Sequence, residues 1–342
     1  MNFRQVILLA TSAALLPALH AAPPDKLELN PGDHVSIIGN ALADRMQHTG
    51  WLETLIAKKF ADQQITFRNL AAAADEVATW HRSQDFGTRD QWLTWTQADV
   101  IFAFYGFNES FKGAEGLAKF KSDLEKLLRD AAKQNYGGKG APRVVLFSPI
   151  ANERHQDPNF PDPAANNANL KLYSDAMAEI AKANNVQFVD LFTPALELFK
   201  AAAAKGQSLT IDGLHLDREG DKQIAEVAFR ALFGETPPGG DLAKLNAVIL
   251  EKNWQWHQRY RTIDGYNIYG GRSREKYAPK DKDGKTGDPI FNSAVMQREM
   301  QIRDVMTANR QQRVWAVAKG GDLAVKDDNL PKPLPVQTNK PG

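Results

Sequence analysis

The chain of 342 residues has no cysteine, which excludes disulfides and thiolate metal sites. No long apolar stretch follows the first twenty or so residues, so a mature protein without an integral membrane segment is expected. Charge of either sign is not in excess. Lys and Arg number 42 and Asp and Glu 41, interspersed along the chain, for a net charge of +1. That balance gives no basic face for a nucleic-acid partner. His48, His81 and His155 show no ligand spacing, and no zinc or calcium pattern is present. Neither a metal nor a cofactor is expected, and no internal repeat is found. Without disulfides the fold must rest on its core, and about 320 residues suffice for one large α/β domain with extensions.

The chain opens Met1-Asn2-Phe3-Arg4-Gln5, runs apolar to about Leu19, and then reads His20-Ala21-Ala22-Pro23-Pro24. A short basic start, a modest apolar core and small residues before a polar region describe a secretory signal peptide over 1–22, cleaved near Ala21 or Ala22. The protein is therefore expected in a periplasm or outside the cell. No cysteine follows the apolar run, so no lipid anchor is expected.

Five apolar runs, Val35–Ile38, Ile65–Leu70, Val100–Tyr105, Arg143–Phe147 and Val186–Leu191, have the continuous character of parallel strands covered on both faces. Helical stripes separate them. Trp51, Leu52, Leu55, Ile56 and Phe60 form one, and Leu117, Phe120, Leu124, Leu127 and Leu128 another. A third is marked by Leu172, Met177 and Ile180, and a fourth follows Asp217, a suitable N-cap. The alternation implies a three-layer α/β/α sandwich with a five-stranded parallel sheet over 27–235 and right-handed crossovers. Its site should lie at the carboxyl ends of the strands. Thr236-Pro237-Pro238-Gly239-Gly240 ends the pattern. A helical, aromatic-rich extension is expected over 241–318, with helices at Leu242–Arg261 and from Ser293 to about Ala316, then a disordered tail over 319–342.

Three segments at strand ends carry chemistry. Gly39-Asn40-Ala41-Leu42 follows the first strand, Gly106-Phe107-Asn108-Glu109-Ser110 follows the third, and Asp212-Gly213-Leu214-His215 precedes the last helix of the sandwich. Asp212 and His215 are three residues apart across a turn at Gly213, so their side chains can converge. His215 would act as a base, with Asp212 fixing its tautomer. The alternative is a helix-entry loop with an incidental histidine. The amide of Asn108 can donate to a developing oxyanion or cap the next segment.

In this order and spacing the segments resemble the sequence blocks of SGNH/GDSL-type hydrolases, over about residues 33–235. The resemblance implies the flavodoxin-like sandwich and hydrolysis of an acyl or acetyl ester, with a carbohydrate ester among the possible substrates. It implies catalytic roles for His215, Asp212 and Asn108, and a ligand-facing place for Gly39, Asn40, Ala41, Ala74 and Ser110. The chain departs from the pattern at two points. Ala41 stands where the family places its nucleophilic serine, and Asn40 stands at the neighbouring aspartate. In Arg68-Asn69-Leu70-Ala71-Ala72-Ala73-Ala74, Ala74 falls at the glycine whose N–H enters the oxyanion hole. Alanine keeps that N–H but adds a methyl. Ser36 lies too early in its strand to reach the site, and Ser110 is the nearby hydroxyl to watch. Three readings remain, the first two being ester hydrolysis, with water activated by His215 in the space left by Ala41, and a non-catalytic relative that binds a glycan or another ligand. A structural partner of envelope proteins is a third, resting on the extension and tail.

Trp254, Trp256, His257 and Tyr260, with Tyr266, Tyr269, Arg272 and Arg274 beyond, suit a sugar-stacking platform or a helix packed onto the main domain by its tryptophans. Oligomeric state is left open.

Overall fold

The five apolar runs form one parallel sheet. In the computed structural model, which describes residues 26–335 apart from 84, 156, 263, 264 and 282, these are β1 (His34–Gly39), β2 (Thr66–Asn69), β3 (Val100–Phe104), β4 (Arg143–Phe147) and β5 (Gln187–Val189). Their order is β2-β1-β3-β4-β5. Residues alternate between the two faces. Val35, Ile37, Val100, Phe102 and Phe104 join one core, and Ile38, Ile101, Ala103 and Leu146 join the other.

The first core is covered by α1 (Ala41–Met46), α2 (Trp51–Lys59) and two helices further along the chain. On the second face lie α3 (Arg89–Trp95), α5 (Gly113–Ala131) and α6 (Ala164–Ala183), with the short α4 (Phe107–Ser110) between α3 and α5. The later helices of the first face are α7 (Phe192–Ala203) and α8 (Arg218–Phe233). The expected cap holds: Asp217 accepts the Gly220 N–H at 2.7 Å. Besides the short α1 and α4, two helices of the sandwich were not foreseen. The capping box of Thr88 and Gln91 starts α3, and α7 is apolar enough to blend with the strand before it.

The extension consists of α9 (Ala243–Tyr260), α10 (Gly265–Ile268), a small hairpin of β6 (Lys276–Tyr277) with β7 (Ile290–Phe291), and α11 (Asn292–Ala318). It closes the free edge of β2. A helix rises about 6 Å in four residues and a strand about 6.6 Å in two. A helix laid along an edge strand can therefore offer one donor per turn to every second carbonyl. Lys252 reaches the carbonyl of Phe67 at 3.4 Å, and Trp256 Nε1 that of Asn69 at 2.7 Å. Tyr260 and Arg261 donate to the carbonyls of Leu70 and Ala71 at 2.8 and 3.2 Å. From α11, Trp315 Nε1 serves Ile65 at 2.9 Å.

The sugar platform is not assembled. Trp256 and Tyr260 are buried against the sheet, while Trp254 is 54% exposed beside Arg303. The side chain of Tyr266 is outside what is described. The signal segment 1–22 also lies outside the described residues. The tail makes ion pairs with the extension over its described part, which ends at residue 335. Asp322 bridges Lys244 and Arg313, and Asp327 pairs with Arg310, because its scattered charges complement those of α9 and α11. Among the described residues no helix is long and apolar enough to cross a membrane.

Lys252 is fully buried and meets Glu53 of α2 at 2.7 Å. Burial drives its ammonium down to about 8, against the pull of Glu53 in the other direction. Lys252→Met should cost about 3–5 kcal/mol, because Glu53 is left as an uncompensated buried charge. Adding Glu53→Met should restore most of that loss. Urea unfolding of both variants measures this, and a single variant costing no more than the double one would contradict it.

Candidate active site

β1 ends on Gly39, whose φ of +133° and close approach to β3 leave no room for a side chain. A Cβ there would lie 2.0 Å from the Phe104 carbonyl oxygen. The turn carries the chain directly into α1, with Asn40 at the N-cap and Ala41 as the first helical residue. The Asn40 N–H donates to Phe104 O at 3.1 Å. Its side-chain Nδ2 is buried with no partner among the described residues. Asn69 secures the same turn from β2, donating to Ala43 O at 2.6 Å and accepting from the Ala71 N–H at 2.9 Å.

His215 Nδ1 and Asp212 Oδ2 stand 2.7 Å apart. The other oxygen of Asp212 accepts the backbone N–H groups of Leu214 and His215 at 3.0 and 2.8 Å. Partial burial raises the carboxyl, but these bonds outweigh it and hold Asp212 below the ordinary carboxylate range. Asp212 is thus held as the anion that orients His215. Gly213 makes the turn with φ +82°. The loop is anchored from behind by Glu153, a buried carboxylate that the sequence reading missed. It accepts from Ser208 Oγ at 2.6 Å, Thr210 Oγ1 at 2.5 Å and the Thr210 N–H at 2.9 Å, and its own N–H donates to Gly213 O at 2.8 Å. No local sequence signal marks it, since its partners lie more than fifty residues away.

A cavity of about 280 Å³ lies between the β1–α1 turn and this loop. Its apolar walls are Ala41, Leu42, Phe107, Pro149, Ile150, Leu214 and Leu216. Asn40, Arg45, His48, Thr49, His215 and Asp221 supply polar groups. The structure therefore brings Asn40, Ala41 and His215 together at one cavity.

The remaining expected residues do not line it. Asn108 donates its amide to the carbonyls of Ala73 and Asp75, both at 3.0 Å. Those two bonds occupy both amide hydrogens and tie α4 to the loop after β2, in place of a free oxyanion donor. Ser110 is buried and donates to Phe107 O at 2.7 Å, so it is not positioned as a substitute nucleophile. Ala74 is exposed and free of positive φ, so its backbone accommodates the methyl. Glu109 braces the same region by accepting the N–H groups of Val77 and Gly106 at 2.8 and 3.0 Å. Burial pushes its carboxyl up, partly offset by those bonds.

A model of the GDSL-like Lipase/Acylhydrolase family matches residues 36–223, which include the β1–α1 turn and the His215 loop. The chain belongs to this family. Among solved structures it is similar to a gut microbial diltiazem-metabolizing enzyme, with 15% identity and a TM-score of 0.49. That match covers 61% of this chain and 48% of the other, so this chain spans about half the length of that enzyme. It is similar to a putative GDSL-like lipase from Parabacteroides merdae, with 17% identity, a TM-score of 0.48 and coverage of 60% and 98%. An acetylxylan esterase from Geobacillus stearothermophilus gives 16% identity, a TM-score of 0.46 and coverage of 63% and 100%. No curated protein matches the chain.

Asp221, from the first turn of α8, was not foreseen. One of its oxygens accepts a short hydrogen bond from Thr49 Oγ1. Burial dominates and pushes its carboxyl from 3.8 up to about 6, against the opposing effects of Thr49 and Arg45. A carboxyl raised on folding stabilises the protein below its unfolded value and loses that contribution as pH rises through the folded value. Asp221→Asn, which retains a partner for Thr49, should therefore match the parent near pH 4. It should gain on the order of 1–3 kcal/mol over the parent by pH 7. Denaturant unfolding at both pH values measures this, and a constant difference between the two would refute it.

Proposed function

We propose that this is an exported ester hydrolase in which His215 activates water directly and no acyl-enzyme forms at residue 41. One observation carries the reading: His215, its ring held by Asp212, borders the same cavity as the methyl group of Ala41. A methyl has no proton to give and no lone pair with which to attack. It leaves room for a water that His215 Nε2 can deprotonate. The water oxygen attacks the acyl carbon, its proton passes to His215, and Asp212 stabilises the imidazolium. The proton then goes to the departing alkoxide as the carbon–oxygen bond breaks. The signal-like start of the chain supports export.

A second reading, a cleft that binds an acyl- or sugar-bearing ligand without turnover, is favoured by Asn108. Its amide hydrogens are engaged with Ala73 and Asp75, and a lost oxyanion donor costs about 3 kcal/mol in transition-state stabilisation.

Hydrolysis of an aryl acetate and of acetylated polysaccharides by the purified mature protein separates the two. Slow turnover abolished in His215→Ala supports the hydrolase, and turnover equal to that variant leaves the binding reading. A fluorophosphonate probe should leave the parent unlabelled and should label Ala41→Ser at residue 41. Ala41→Ser combined with Ala74→Gly should raise esterase activity on the order of tenfold or more. Labelling of the parent near His215 would refute direct water attack.

A further inference from the structure

The cavity has a second polar end that the hydrolytic chemistry does not use. Ala41 and Arg45 are one helical turn apart on the same face of α1, about 6 Å along the axis. The cavity continues past them to Thr49 and Asp221. The volume of about 280 Å³ leaves room for a ring-sized group. At the far end the carboxyl of Asp221 is only half satisfied. Its Oδ2 takes the Thr49 hydroxyl, while Oδ1 has no hydrogen-bond partner among the described residues. Asp221 is 4% exposed and lines the cavity, so the partner its free oxygen lacks must come from whatever fills that space. Arg45 also lines the cavity, and among the described residues its guanidinium makes only a 3.5 Å contact, with Leu216 O.

The charges decide which partner fits. An anionic group would meet the Asp221 carboxyl, and an ammonium would meet the Arg45 guanidinium. A hydrocarbon would leave the oxygen of Asp221 buried and unpaired. A neutral hydroxyl suits every member of the set. It donates to the carboxylate, accepts from the carboxylic acid, and accepts from Arg45. With burial pushing Asp221 up to about 6, a partner able to serve both protonation states is the one that works at mildly acidic and neutral pH alike.

We propose that Asp221 is a specificity-determining residue that reads a ring hydroxyl of the ligand, so that the cavity selects esters of hydroxylated rings over esters of equally sized hydrocarbon rings. This rests on the reading of the cavity as the ester site.

The test compares methyl 6-O-acetyl-glucopyranoside with cyclohexylmethyl acetate, which presents the same linkage and ring size without hydroxyls. Binding to the full chain carrying His215→Ala is followed by calorimetry or NMR titration, so that turnover does not interfere. The sugar acetate should bind at least tenfold more tightly than its hydrocarbon counterpart. Asp221→Leu should abolish that gap, the sugar acetate losing its partner and cyclohexylmethyl acetate binding at least as tightly as to the Asp221 chain, because no unpaired oxygen is left beneath it. Asp221→Asn, still able to pair with a hydroxyl, should keep a preference. Should the leucine variant fail to fold, monodeoxy analogues of the glucoside give the same answer on the His215→Ala chain alone, since one of them must lose the tenfold advantage. Equal binding of the two acetates, or a gap that survives Asp221→Leu, overturns the inference and leaves the ester site standing. Binding of neither acetate removes the ester reading of the cavity and the inference with it.

Discussion

The open edge of β2 is the constraint on which the rest of the molecule is built. An unpaired edge strand presents a row of backbone groups that must be covered or must find another chain. Here side-chain donors cover it in place of a sixth strand. The near-coincidence of the four-residue rise of a helix and the two-residue rise of a strand lets Lys252 and Trp256 reach alternate carbonyls of β2. Tyr260 extends the series and couples it to the site. Its hydroxyl donates to Leu70 O and accepts from Arg82, which in turn clamps the fully buried Asp75 through two bonds of 2.7 and 2.9 Å. Asp75 O and Ala73 O are the carbonyls that hold Asn108. The extension is therefore mechanically continuous with the loop in which an oxyanion hole would be built.

That continuity explains why residues of the family pattern can be present and yet be occupied elsewhere. Asn108, Glu109 and Ser110 all find partners within their own neighbourhood. They brace the β3–α4 junction against the loop after β2. A side-chain amide has two hydrogens, and both are engaged. The His215 loop is built differently. Glu153 carries its structural burden from behind and leaves His215 at the cavity with Asp212 on its Nδ1, both side chains roughly a third exposed. His215 thus stays at the cavity with Asp212 holding its ring, and the methyl of Ala41 forms part of the cavity wall.

Much of this was legible before any coordinate. The β1, β3 and β4 runs are long enough, and apolar enough on both faces, that period and composition identify them. Arg143–Phe147 falls where expected to the residue. The Asp212–His215 pair was legible because its geometry is local, a turn of four residues with a glycine at the bend. What could not be read depends on contacts distant in sequence. Glu153 meets its partners across 55 to 57 residues, and Asp221 meets Thr49 across 172. The α9 stripe was ambiguous for the same reason. Aromatics at every fourth position suit a ligand platform and a docking face equally well, and only the position of the β2 edge decides between them.

The same comparison separates two kinds of buried polar group in this fold. Asp75, Glu109 and Glu153 are surrounded by donors from the chain itself, and each holds two loops at a fixed distance. A fully satisfied carboxylate of this kind rigidifies and has nothing left to offer a ligand. Asp221 belongs to the other kind, with one oxygen served by Thr49 and one left to the cavity. A protein interior tolerates a half-satisfied carboxyl poorly, and the raised titration of Asp221 expresses that cost. Such a group persists most readily where something other than the chain completes it. The polar asymmetry of the cavity, with His215 at one end and an incomplete carboxyl at the other, is therefore a stronger guide to the ligand than the methyl of Ala41, which offers it only an apolar contact.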